Sequence, residues 1–310
     1  MKRYQKILVC IEKPERDCRL LDYVGAICRL AETKEIHLLH VASGKQSKPD
    51  EAALDKMEPY DVTPDTLRIL AEEHLKGHGN EEVICQVITD TPLIGILRYG
   101  LENDIDLIII GRHASGGQRR GQETVLSRRL TRKATCSVLV LPRDARTKAD
   151  KILVPVRDSP CSANAVDSAC AISRAIDSVV CCLNVFHVGS GYSKVGSTLE
   201  EHMALLQKHA KHECERLLIG VETGGANVVT KCVPDLYSQP ASIILNEIEN
   251  ESADLVVIGA RGRTGAAGVL LGKVTAKLIR QSPIPVLAVK KKGECIGILR
   301  ALLIMASGEE

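Results

Sequence analysis

The chain repeats itself, and this duplication constrains its fold more than any other feature of the sequence. Three ordered pairs of segments match: Lys6–Val9 with Lys151–Val154, Asp106–Gly111 with Asp254–Gly259, and Ser137–Leu141 with Pro285–Val289. The shift is 145 residues for the first pair and 148 residues for the other two. Matches that keep their order and spacing indicate two copies of one unit. In a chain of 310 residues, each copy has the size of one ordinary domain.

The two copies meet in the polar stretch from Arg143 to Lys151. We therefore predict a first domain over residues 1–145 and a second over residues 150–292, followed by an apolar C-terminal extension over residues 293–310. The extension could pack on its own domain or cover a dimer partner, and the sequence does not choose between these.

Each copy alternates short β-branched apolar runs with segments of helical periodicity. The predicted strands lie near residues 7–11, 36–41, 83–88, 107–110 and 138–141, and near 152–156, 179–185, 228–233, 255–258 and 286–289. This alternation predicts an α/β fold of two tandem domains, each an open five-stranded parallel sheet with helices on both faces. In such sheets ligands bind beyond the carboxyl ends of the strands, where the winding reverses.

Composition argues against several classes of function. The net charge is only +2 and there is no Trp and one Phe, which argues against nucleic acid as a partner. No run approaches the ~20 apolar residues of a membrane helix, and no signal peptide is evident, which predicts a cytoplasmic protein without a membrane partner. The twelve cysteines include no Cys-x-x-Cys pair and lie mostly in apolar segments, so we expect reduced core thiols.

A glycine-rich loop follows the fourth strand of the second copy. Gly259 and Gly262 are separated by two residues, nine more precede Gly272, and Lys273 and Thr275 open the next helix. Glycines allow positive φ and close approach of a phosphate to backbone N–H groups, while a helix N-terminus favours anions. The spacing matches neither the Walker nor the Rossmann loop, both of which follow a first strand. The pattern predicts a phosphate site; the alternative is that these glycines only shape a tight loop and the entry to the helix.

This G-2x-G-9x-G pattern, with the helix and the Pro285-Val-Leu strand after it, resembles the universal stress protein family, as does the segment Val154–Ser162. The resemblance covers Lys6–Leu141 and Lys151–Lys290, and it implies an adenine-nucleotide α-hydrolase-like fold with ATP over strands one and four. The positions that the resemblance carries into the second-domain site are Val156, Arg157, Asp158, Val185 (near adenine), Ile258 and Gly259 (at ribose and phosphates), and Gly262, Gly272, Lys273 and Val274 (around the phosphates).

The second copy departs from the family pattern at two positions. Lys273 stands where ATP binders carry Ser or Thr, and Arg157 stands where they carry Asp, with Asp158 one residue late. A lysine can hold a phosphate as a point charge. Arg157 would help binding if it turned toward the phosphates and would block binding if it filled the adenine or ribose space.

The first copy keeps Gly111 but has Ala114 and Thr124 in place of the other two glycines, and Glu12 in place of Arg157. A Cβ narrows access to a phosphate and an acidic side chain repels it, so we predict no ATP in the first domain. ATP is therefore expected in the second domain only.

Two further groups of residues have plain structural interpretations. Seven basic residues between Arg112 and Lys133 could hold an acidic or phosphorylated partner, but a solvated loop and helix face is the simpler interpretation. His202, His209, His212 and Cys214 share one predicted helix without completing a zinc motif, which favours surface histidines and no metal site. No nucleophile, base and orienting group can be recognised from spacing, so we assign no catalytic residue.

These features predict a stress-response protein that binds ATP or another adenine nucleotide in its second domain and acts as a regulatory or sensor module. The alternatives are a non-nucleotide interaction protein with both sites vestigial, and a weak ATP-hydrolysing enzyme. The fifth strands would be exposed edges unless paired, and the resemblance implies that they pair antiparallel. We expect the two copies to form an intramolecular pseudo-dimer, and two chains to form a homodimer.

Overall fold

A computed structural model describes residues 4–42, 62–75, 82–112, 122–189, 198–261, 271–293 and 303. Its first half contains β1 (Lys6–Cys10), α1 (Pro14–Ala31), β2 (Glu35–Ala42), α2 (Pro64–His74), β3 (Glu82–Thr89), α3 (Pro92–Glu102), β4 (Leu107–Arg112), α4 (Gln122–Lys133) and β5 (Ser137–Pro142). Its second half contains β6 (Lys151–Pro155), α5 (Pro160–Ile176), β7 (Val179–His187), α6 (Leu199–Ile219), β8 (Asn227–Asp235), α7 (Pro240–Asn250), β9 (Leu255–Gly259), α8 (Lys273–Gln281) and β10 (Val286–Val289).

All ten strands belong to one sheet in the order β3-β2-β1-β4-β5-β10-β9-β6-β7-β8. Neighbouring strands within each half are parallel. The two halves meet where β5 and β10 pair antiparallel, with Leu139 opposite Leu287. The predicted α/β fold and the intramolecular pairing of the fifth strands are both confirmed. Each fifth strand covers the other, so neither is left as an open edge.

Local sequence signals place the starts of the crossover helices. Five helices begin with proline, whose missing N–H costs nothing at that position: Pro14, Pro64, Pro92, Pro160 and Pro240. The side chains of Thr63 and Ser159 cap α2 and α5, since each accepts a backbone N–H group of its own helix. Thr198 forms a capping box with Glu201 at the start of α6.

The core has one layer on each face of the sheet. Helices α1, α2, α5 and α6 cover one face through side chains such as Leu21 and Val166, and α3, α4, α7 and α8 cover the other through side chains such as Leu97 and Leu278. The central strands are buried on both faces, as expected of parallel sheets, whereas the outer strands β3 and β8 are partly exposed. The eleven cysteines among the described residues are free, and burial raises the pKa of Cys181 to about 11.

Two cations join the halves by capping helices across the β5–β10 junction. The guanidinium of Arg112, the last residue of β4, donates to the carbonyl of Ile279 at 3.0 Å and to that of Ser282, at the end of α8. In the reverse direction, Lys290 Nζ donates to the carbonyl of Ala134 at 2.7 Å, at the end of α4. Both positive charges face the negative end of a helix dipole. Burial lowers the pKa of Arg112.

Candidate functional site at the carboxyl ends of β6 and β9

The winding of the second half reverses between β6 and β9. From β6 the chain continues to β7 and β8 on one side, whereas β9 and β10 lie on the other side. Adjacent strands that lead in opposite directions leave a crevice beyond their carboxyl ends. The turn after β6 and the loop after β9 therefore lie at the place where the sequence predicts a ligand.

Two serines shape the turn after β6. Ser159 Oγ accepts the N–H of Ser162, and the Oγ of Ser162 accepts the N–H of Arg157 at 3.0 Å. The buried Val156 donates its N–H to the carbonyl of Leu183 at 2.9 Å. These bonds fix the backbone at Arg157 and leave its side chain exposed.

The Arg157 side chain lies toward β7. Its Nη2 donates to the carbonyl oxygen of Val185 at 3.0 Å, at the position that the family resemblance places near adenine. Asp158 points elsewhere, since its carboxylate pairs with the Arg216 guanidinium of α6 at 3.1 Å. Both partners of that ion pair are more than half exposed, at 53% and 65%, so we expect it to contribute little to stability.

Gly259 is needed at the end of β9 for packing. A Cβ atom there would lie 2.8 Å from both the Cβ and the carbonyl oxygen of Cys161, at the start of α5. Gly259 is not among the described glycines with positive φ, and Gly272 has a φ of −57°. The expectation that positive φ explains these glycines is therefore wrong for both.

The ends of the loop are held together where α8 begins. The Gly272 N–H donates to the Ala260 carbonyl at 3.0 Å, and the buried Thr275 hydroxyl donates to the Gly259 carbonyl at 3.0 Å. Gly272 is the N-cap and supplies no side-chain cap, so the first turn of α8 keeps N–H donors without an intrahelical acceptor. Lys273 is exposed and Val274 packs on the core, as does the buried Ile258. Gly262 lies outside the described residues.

The equivalent turn of the first domain is acidic. The carboxylate of the buried Asp17 accepts the N–H groups of Glu12 at 2.8 Å and Lys13 at 3.0 Å. Asp17 stands at the position of Ser162, 145 residues earlier. Here a carboxylate replaces a neutral hydroxyl beside the strand end. Ala114 and the side chain of Thr124 lie outside the described residues.

The basic residues between Arg112 and Lys133 and the histidines of α6 have other surroundings where the structure describes them. Arg128, Arg129 and Arg132 are exposed on α4, which fits the predicted solvated helix face, whereas Arg112 caps α8. Arg119 and Arg120 lie outside the described residues. His212 Nδ1 lies 3.1 Å from the Glu215 carboxylate. Among the residues with assigned positions, no three metal-ligating side chains converge and no helix is long and apolar enough to cross a membrane.

The structure brings most of the predicted site residues to one edge and adds three that local patterns did not reveal. Val156, Arg157, Val185, Ile258, Gly259, Gly272, Lys273 and Val274 lie on the strand ends, the loop ends and the start of α8. The added residues, Cys161, Ser162 and Thr275, act through contacts with strand or turn backbone. The two serines three residues apart at the start of α5, Ser159 and Ser162, are the one signal that could have indicated Ser162.

Comparison with known sequences gives two kinds of match. The model of the universal stress protein family matches residues 3–142 and again residues 148–290. Universal stress protein Rv2005c of Mycobacterium tuberculosis is 26% identical over 228 residues, which are 72% of this chain and 74% of that protein. Universal stress protein MJ0531 of Methanocaldococcus jannaschii is 31% identical over 153 residues, which are 48% of this chain and 86% of that protein.

Solved structures match over the whole tandem arrangement. A universal stress protein from Archaeoglobus fulgidus has a TM-score of 0.63 at 18% identity, covering 93% of this chain and 99% of that one. A functionally unknown protein from Pseudomonas aeruginosa has a TM-score of 0.61 at 18% identity, covering 99% of each chain. At this level of identity, the likeness establishes the fold alone.

Proposed function

The chain belongs to the universal stress protein family, with two tandem copies of its domain, and from that premise we propose that the second domain binds ATP or another adenine nucleotide and acts as a regulatory module of a stress response. The start of α8 carries this proposal. It combines N–H donors that the N-cap residue Gly272 leaves without a side-chain cap, a lysine at the first helical position, and loop ends held together by Gly272 and Thr275. Such an arrangement favours a phosphate.

The difference between the two domains supports a single nucleotide site. In the first domain a buried carboxylate, Asp17, holds the turn after β1, and Arg112 is engaged with α8. In the second domain the equivalent turn is held by the neutral Ser162. A polyphosphate meets less negative charge at the second site, so we propose that the first domain binds none.

Arg157 acts as a movable cover in this proposal. One hydrogen bond joins its exposed guanidinium to the Val185 carbonyl. Releasing such a bond costs about 1 kcal/mol, which a nucleotide could offset by accepting the guanidinium at its phosphates. Arg157→Ala should then tighten the binding of adenosine, which lacks phosphates, and weaken the binding of ATP.

Titration calorimetry of the full chain with ATP, AMP and adenosine tests the site. Lys273→Ala should weaken ATP about tenfold, the value of one charge-assisted hydrogen bond, and leave adenosine unchanged. Arg280→Ala is the matched control, because it removes an exposed positive charge from the other end of α8. Equal losses in the two variants would contradict a phosphate at the start of the helix.

A second candidate function rests on the same arginine. If Arg157 stays on Val185, it fills the base position, and the protein is an interaction module with both sites vestigial. Absence of any co-purified nucleotide in native mass spectrometry, together with no heat on adding ATP or adenosine, would favour this function.

Domain limits and assembly stay predictions. We propose domains over residues 1–145 and 150–292, an added segment over 293–310, a homodimer of tandem chains, and a cytoplasmic location. Light scattering of the full chain and of a chain ending at residue 292 would test whether the added segment joins two copies.

A further inference from the structure

A cavity of about 300 Å³ lies between the two domains, at the centre of the ten-stranded sheet. Helices α1 and α5 form its sides, the central strands form its floor, and the linker residues 147–150 form its cover. Matched positions of the two copies line it: Leu107 with Leu255, Leu139 with Leu287, and Ile27 with Ile172. It shares no residue with the nucleotide site proposed above.

The walls of this cavity are apolar on the sheet side and polar at the linker. The buried Tyr4 and Tyr23 add two aromatic rings, at positions where the second copy has Ala149 and Ser168. Thr147, Lys148 and Asp150 of the linker are exposed, so the cover faces solvent. Water is held poorly by a space with few polar partners. Ligand pockets commonly combine an apolar wall with a few polar groups at a domain interface.

The charges at the cover favour a ligand without charge. Lys148 forms an exposed ion pair with Asp150, so a negatively charged ligand would compete with that carboxylate for the lysine. The carboxylate of Asp254 lies beside them, accepting the N–H groups of Asp150 at 2.9 Å and Lys151 at 3.1 Å. Burial and the Asp254 carboxylate raise the pKa of the Tyr23 phenol, which therefore stays neutral. The carboxylate of a ligand would therefore be repelled by the net negative charge at the linker.

Leu303 of the C-terminal extension does not lie in the cavity. Leu303 packs against the core layer of α3, α4, α7 and α8, on the opposite face of the sheet. The cavity belongs to the layer of α1 and α5. Leu303 therefore does not fill the cavity.

We propose that this cavity binds a small uncharged amphiphile, whose apolar part lies between α1 and α5 and whose single hydroxyl-type group lies at the linker. The volume is about twice that of a 150 Å³ cavity that takes up benzene, which leaves room for roughly a dozen non-hydrogen atoms. This proposal is independent of nucleotide binding in the second domain.

Titration calorimetry of the nucleotide-free full chain with octan-1-ol tests the proposal. We expect saturable one-to-one binding at about 0.1 mM, the affinity that an efficient ligand of this size reaches. Octanoate, with the same chain length and a negative charge, should bind at least about tenfold more weakly. No saturable binding of octan-1-ol, or tighter binding of octanoate, would overturn the proposal.

A variant that fills the cavity locates the binding. Ala26→Phe places a ring inside it and should weaken octan-1-ol at least about tenfold. Ala171→Phe is the matched control, because Ala171 is the equivalent half-buried residue of α5 and does not line the cavity. If Ala26→Phe does not fold, Ala149→Leu fills the linker side instead. Equal affinity in the filled and control variants would contradict this location.

Methyl NMR gives a second readout. Octan-1-ol should shift the methyl signals of Ile27, Ile172 and Ile176, which line the cavity. The exposed Ile69 and Ile219 should not shift. Shifts confined to those two exposed residues would indicate adsorption to the surface and would refute the proposed site.

Discussion

Replacing Gly259 by alanine should destabilise the protein through a contact inside the second domain. The added Cβ would lie 2.8 Å from the Cβ of Cys161, 2.8 Å from its carbonyl oxygen and 3.0 Å from its carbonyl carbon. Two of these atoms belong to the backbone, which cannot move aside by changing a rotamer. Either β9 or the start of α5 must shift.

The expected cost follows from overpacking. Inserting a carbon into a packed interior costs about 1–3 kcal/mol, and the rigid backbone contact places this case near 2–3 kcal/mol. In a chain of this size that loss lowers the melting temperature by about 5 °C. Because Gly259 does not have positive φ, none of the cost comes from backbone conformation.

Gly100→Ala in α3 is the matched control for this experiment. Its Cβ would meet Ile108 at 3.6 Å and Leu8 at 3.9 Å, which are ordinary contacts. Alanine in a helix should stabilise that variant by up to about 1 kcal/mol. Differential scanning calorimetry and urea unfolding measure both variants. The reasoning is refuted if Gly259→Ala unfolds at or above the temperature of the unaltered protein.

Three further changes test other parts of the structure. Arg112→Gln should lower the free energy of unfolding in urea by about 2 kcal/mol, because it weakens the cap on α8. The control Arg129→Gln, on the exposed face of α4, should lower it by under about 0.5 kcal/mol. Equal effects would contradict a stabilising role of Arg112 at the end of α8. Burial lowers the pKa of His37, so the unfolded chain binds more protons than the folded one and the free energy of unfolding should fall as pH drops below about 6.5. His37→Gln should reduce this dependence on pH between about pH 5 and 7. An unchanged dependence would exclude His37 as its source. Lys231→Met removes the partner of the buried Glu247 carboxylate, 2.7 Å away, and should cost about 3 kcal/mol in thermal unfolding; a cost near zero would show that Glu247 needs no counter-charge.

Much of the fold could be predicted because its signals are local or repeated. Thr63 and Pro64 define the start of α2 within two residues, and the matched segments around Asp106 and Asp254 reveal the duplication. Antiparallel pairing of the fifth strands followed from their exposed edges together with the family resemblance.

The details of the site could not be predicted, because they depend on contacts between distant parts of the chain. Cys161, which lies 98 residues earlier, leaves no room for a Cβ at Gly259. Arg112 donates to carbonyls 167 and 170 residues later in the chain. The direction of the Arg157 side chain depends on a carbonyl of the neighbouring strand. Sequence periodicity carries no information about such side-chain directions.

Antiparallel pairing of β5 with β10 has a consequence for how the two domains can evolve. Their association is intramolecular, so dilution cannot separate them and their effective concentration is set by the short linker. Two separate subunits with one gene must keep identical surfaces and identical sites. Within one chain, each half can accept changes that its counterpart does not share, as Asp17 against Ser162 and Arg112 against Ala260 illustrate. Fusion thus allows one half to change without imposing the same change on the other.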